Sequence, residues 1–94
     1  MNKYILYGTK NNSKYYVTNV NPVLWSPEII NAKTYQDLNS ARFSVLRDWD
    51  NYDYILTQIN TGLLDMFFVA IIDENFVEKE RVKLLWSKST QMNC

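Results

Sequence analysis

Met66-Phe67-Phe68-Val69-Ala70-Ile71-Ile72 is the longest unbroken apolar run of the chain, and it decides the fold. Seven residues fall far short of the ~20 that a membrane-spanning helix needs. A β-branched and aromatic run of this length, closed by Asp73-Glu74-Asn75, reads as a central strand buried on both faces. The rest of the chain must then supply that strand with neighbours and with cover.

On its N-terminal side, Lys3–Gly8 and Lys14–Val20 are two further aromatic and β-branched runs. Thr9-Lys10-Asn11-Asn12-Ser13 separates them, and Asn tolerates the left-handed backbone of a tight loop. The three segments predict a β-hairpin with a basic tip. Asn21-Pro22 ends the second strand, and Val23-Leu24-Trp25 reads as its bent continuation. Ser26-Pro27-Glu28 has the features of a helix start, but only Ile29 and Ile30 follow before Asn31, so a single turn is expected.

The main helix is expected from Thr34, with Asp37 three residues on. Leu38, Ala41, Val45, Leu46 and Trp49 recur at helical spacing and predict one buried face that includes Trp49. Asp48–Asp53 interrupts the pattern. Beyond it, Tyr52, Ile55, Leu56 and Ile59 share a helical face, with Asp50 as a possible cap and Gly62 as the stop, so a second short helix is favoured over a strand. After the central strand, Asn75 is expected in the left-handed position of a hairpin turn. Phe76–Trp86 alternates Val82, Leu84 and Trp86 against Lys79, Arg81 and Lys83, a half-buried strand. Ser87–Cys94 reads as a polar tail. The expected fold is one α+β domain over residues 1–94. It has an antiparallel sheet of about four strands, made of two hairpins, with one or two helices on one face and many tyrosines on the other.

Composition narrows the chemistry. The 94 residues include 47% hydrophobic ones, enough for one core, so disorder is rejected. There is no His, and the single Cys is Cys94. The commonest general base and the commonest metal ligand are therefore missing. Gly8 and Gly62 are the only glycines, so no phosphate-binding loop can be written. Asp48-x-Asp50-Asn51-x-Asp53 resembles the start of a calcium loop but has Asp53 where the turn needs Gly and Ile59 where it needs Glu. We expect no enzyme activity, no cofactor and no metal. The apolar stretch after Lys3 is only Tyr4–Tyr7, shorter than a signal peptide needs, which predicts a cytoplasmic protein.

Ten basic and ten acidic residues cancel, yet they are segregated. Residues 1–47 carry net +4, residues 48–78 seven acids and no base, and residues 79–94 net +3. The acidic run Asp48, Asp50 and Asp53, with Tyr52 and Tyr54 beside it, is the candidate partner-binding patch, and Trp86 a further aromatic anchor with Tyr35 beside it in rank. The alternative is a nucleic-acid surface from Lys10 and Lys14 at the hairpin tip and Lys83 in the last strand. The two sheet edges also make a homodimer possible.

Lys14-Tyr15-Tyr16-Val17-Thr18, then Trp25-Ser26, then Ala32-Lys33-Thr34-Tyr35 before a helix with Leu38 and Ala41, is similar to the small accessory proteins of phages and mobile elements of low-GC bacteria. The Asn- and Lys-rich composition agrees with such a genome. The resemblance covers residues 3–49. It implies an anti-defence inhibitor, such as an anti-CRISPR protein, whose partner is a CRISPR effector or another host defence nuclease. The same features fit an immunity protein or antitoxin.

Overall fold

The computed structural model describes residues 2–87, and the expected tail from residue 88, with Cys94, lies outside them. Five antiparallel strands form one sheet in the order β3-β2-β1-β4-β5, with β1 at Lys3–Lys10, β2 at Ser13–Asn19, β3 at Leu24–Ser26, β4 at Met66–Ile72 and β5 at Glu78–Trp86. Helices α1 (Leu38–Leu46) and α2 (Trp49–Asn60) cover one face. The α+β architecture is as expected, with one strand more: Leu24–Ser26 pairs with β2 as a separate edge strand after a register shift.

Strand β4 lies between β1 and β5 and is buried on both faces, as its composition requires. Phe67 and Val69 point to the helices and meet Leu6, Val17, Ala41, Val45, Ile55 and Ile59. Phe68, Ala70 and Ile72 point the other way, beside Ile5, Tyr7 and Tyr16. That second face is not the open tyrosine surface expected. Ile29 and Ala32, from a single 3-10 turn at Ile29–Asn31 and its end, pack on one part of it. Arg81 sits 4.3 Å from the centre of the Phe68 ring and the Lys14 ammonium 5.0 Å from that of Tyr7. Tyr7 is fully buried beneath them. The charged heads themselves lie over the rings as cation–π partners and are held there by Tyr7 and Glu78.

Several local expectations are corrected. The main helix starts at Leu38, not Thr34, because Asp37 is its cap and accepts from the Ser40 N–H at 2.8 Å. Tyr35 pairs with Tyr4 through two backbone hydrogen bonds instead. Asp48, not Asp50, caps α2, accepting from the Asn51 N–H at 3.1 Å. This new start resets the helical phase, so Trp49 leaves the apolar face and is 72% exposed. In the β4–β5 turn the left-handed residue is Phe76 (φ 60°), not Asn75, because the Asp73 carboxylate accepts from the Asn75 and Val77 N–H groups and closes the loop around Phe76. In β5 a bulge beside Phe67 turns Leu85 to the helix side, where it is buried, while Val82, opposite Val69 on that same side, stays exposed at the sheet edge. At the first hairpin the strands run past the expected Thr9–Ser13 connection, to Lys10 and from Ser13, and leave a two-residue turn in which Asn11 and Asn12 take positive φ (52° and 70°).

Candidate protein-binding face on helix α2

Helix α2 buries Asn51, Ile55 and Ile59 along one side. At ~100° per residue, Trp49, Asp50, Asp53 and Tyr54 fall on the other. Asp50 and Tyr54 are one turn apart, as are Trp49 and Asp53. The acidic run is therefore brought together as one exposed helix face with an aromatic residue at each flank. Trp49 leans on Tyr52, ring centres 6.3 Å apart, and Tyr52 in turn packs against the core.

The acids of this face differ in what holds them. Asp48 is structural through its cap. Asp50 lies in the first turn, where a negative charge complements the positive helix end. Asp53 lies beyond that turn and is exposed. Ion pairs elsewhere withdraw other members of the acidic block: Lys10–Asp65 at 3.7 Å, Lys14–Glu78 at 3.1 Å and Lys79–Asp73 at 3.5 Å. Among the described residues neither Asp50 nor Asp53 has an ion-pair partner.

Between α2 and the β2–β3 segment runs a surface groove of two adjoining hollows. One, about 440 Å³, is lined by Asn21, Pro22, Val23, Asp50, Asn51 and Tyr54. The other, about 260 Å³, is lined by Tyr15, Trp25, Tyr54, Gln58, Leu63 and Leu64. Tyr54 is the wall they share, and its hydroxyl accepts from Trp25 Nε1–H at 3.2 Å. Gly8 makes the floor possible: a β-carbon there would meet both Leu64 methyls at 2.9 Å and Trp25 at 3.4 Å. A Gly inside a strand can mark such an approach. Tyr15 and Trp25 were not singled out for this site from the sequence, since the side of β2 and β3 that faces α2 depends on pairing across the sheet.

The remaining expected residues are dispersed. Trp86 pairs with Met66 on the opposite face of the sheet from α2, half-buried, with the Lys83 ammonium 5.1 Å from its ring. Tyr35 is half-buried and donates to Ser44 Oγ at 3.0 Å, so it is a packing residue. Lys10 donates to the Gly62 carbonyl at 2.8 Å on the helix side. Lys14 lies on the other side, tied to Glu78. Burial alone would lower the pKa of Lys14, but the Glu78 hydrogen bond, together with the charges of Tyr7, Glu78 and Tyr16, raises it. Burial also raises the pKa of Tyr7, against the Arg81 hydrogen bond, while its hydroxyl donates to Glu78 at 3.2 Å. Lys83, opposite Phe68, shares the Lys14 face, so Lys10 stands apart and the three form no common track for a phosphate backbone.

No group of three or more Asp, Glu, His or Cys is placed to hold a metal among the described residues, and no helix there is long and apolar enough to cross a membrane. No protein-family model, no curated protein and no solved structure matches the chain.

Proposed function

We propose that this chain is a non-enzymatic protein-binding inhibitor that covers a basic surface of a partner protein with the exposed face of α2. Trp49 carries this reading. A Trp that is 72% exposed, adjacent to Asp50 and one turn from Asp53, which has no ion-pair partner among the described residues, is an aromatic anchor within an acidic rim. Interfaces draw most of their energy from such anchors, while surrounding charges set orientation and rate. The resemblance of residues 3–49 supplies the target class: a host defence nuclease, with a CRISPR effector as the first candidate, whose nucleic-acid groove is basic. An immunity protein acting on a toxin would use the same physics. Direct nucleic-acid binding is disfavoured because Lys10 and Lys14 are spent on Asp65 and Glu78.

The test is capture of partners by the tagged protein from a low-GC bacterial lysate, with and without added nuclease, repeated with Asp50→Lys/Asp53→Lys and with Trp49→Ala. One partner that survives nuclease and is lost with both variants supports the proposal. Capture that vanishes with nuclease, or that both variants retain, overturns it. Asp48 is left intact, because its removal would cost the α2 cap, about 1 kcal/mol.

A further inference from the structure

From the paired hollows beside α2 we infer that the groove binds an extended segment of a partner protein carrying a large apolar side chain and, two to four residues away, a Lys or Arg. The inference rests on the reading of α2 as the partner-facing element and adds a sequence-selective slot to it. The smaller hollow is walled by Tyr15, Trp25, Tyr54, Leu63 and Leu64, and three of these are open to solvent, Leu63 by 63%, Tyr54 by 38% and Tyr15 by 37%. At about 260 Å³ it lies below the range of about 300–1,000 Å³ typical of small-molecule sites. It suits one side chain inserted from a partner.

The larger hollow differs in chemistry. Asp50 and Asn21 stand on its rim, and the Asp50 carboxylate has no ion-pair partner among the described residues. A cation entering there meets an uncompensated charge at the edge of a concavity, where screening is weaker than on an open surface. The two subsites have a fixed separation because one helix carries both. Asp50, Tyr54 and Gln58 form a stripe at successive turns, so the acidic and aromatic ends lie about 6–12 Å apart along the axis. At about 3.3 Å per residue, an extended segment bridges that in two to four residues. The Trp25–Tyr54 hydrogen bond fixes the ring that divides the subsites, so the spacing is set before binding.

A displayed library of random peptides selected on the full chain, with counter-selection on Tyr54→Ala, tests this. The enriched peptides should share one Leu, Met, Phe or Trp and one Lys or Arg at that spacing. A synthetic consensus peptide should lose affinity about tenfold or more with Asp50→Asn and with Tyr54→Ala. It should bind unchanged to Lys3→Ala, an exposed residue opposite Ile72 at the far end of β1 from the groove. No consensus, a consensus without a basic residue, or equal binding to Tyr54→Ala overturns the inference. The arms separate it from the proposed function: loss of partner capture with Trp49→Ala stands whether or not the groove selects a peptide, and peptide selection stands if capture fails.

Discussion

Asn51 stands inside a run of acids, yet its amide is 3% exposed and ties three segments together. Its Oδ1 accepts from the Asn21 N–H at 3.3 Å and its Nδ2 donates to the Ser44 carbonyl at 2.8 Å. The Ser44 carbonyl belongs to the last turn of α1, where helical partners run out. Asn51→Leu leaves both groups unpaired in a buried seam and should cost about 2 kcal/mol, read as a lower urea midpoint at unchanged slope. An unchanged midpoint would show the seam to be indifferent to the amide. This role is hidden in the sequence because one partner lies thirty residues away. Asp37 is the opposite case, a cap readable from its position. Hydrogen bonds from the Ser40 backbone and side chain, foremost, lower the pKa of Asp37, and those from Val77 and Asn75 lower that of Asp73. The unfolded chain therefore takes up protons first as pH falls below the ordinary value of 3.8. The stability these carboxylates contribute is present above that value and is lost as pH drops through their lower folded values. Asn caps a helix as Asp does but does not titrate. Asp37→Asn should flatten the fall of the urea midpoint in this acid window and leave the midpoint near neutrality almost unchanged. An acid limb as steep as wild type would remove Asp37 from the titration.

At the scale of elements, what the sequence hid follows from phase. Helical spacing carried from Leu38 to Trp49 assumes one continuous helix, whereas Asp48 starts a second and rotates Trp49 outward. Period-two alternation in β5 fails for the same kind of reason: the extra residue beside Phe67 moves burial to Leu85. Where no such device intervenes, as in β4 and the apolar side of α2, composition and spacing were sufficient. The acids and Tyr54 of α2 were therefore legible as a patch, while the far wall of the groove, set by sheet pairing, was not. Two substitutions separate these cases. Trp49→Ala should change unfolding free energy by less than about 0.5 kcal/mol, as surface replacements do, whereas a core Trp would cost about 3–5 kcal/mol. Gly8→Ala forces a methyl against Leu64 and should cost about 1–3 kcal/mol by overpacking. If it costs nothing, Leu64 swings aside freely and the groove floor is soft.

For the whole molecule, the deciding feature is how charge is distributed over a sheet that ends in a nine-residue strand. Pairing on both sides of the acidic block neutralises Asp65, Asp73 and Glu78 and leaves the α2 face as its outward remnant. Strand β5 has β4 as its only strand neighbour among the described residues, so its outer edge is a template for a second strand. A second copy is the nearest supply. In an antiparallel two-fold pairing, opposed residues have numbers of the same parity, because both copies must present the same face. Between the two irregularities of β5, at Lys79 and Leu84, alternation is regular and Arg81 and Lys83 share one face. Centred on Val82, the register sets Arg81 against Lys83. Centred on Arg81, it sets Arg81 against its own copy. Like charges directly opposite destabilise a ladder, so the edge repels its own copy while staying open to other strands. The chain should therefore sediment as a monomer at concentrations of about 100 μM, where weak edge pairing would already register. Lys83→Glu reverses the sign opposite Arg81 in the register centred on Val82 and should introduce measurable self-association that rises as salt is lowered. A wild-type dimer whose strength is indifferent to salt and to Lys83 would mean that another surface carries the contact and that the β5 charges do not set the oligomeric state.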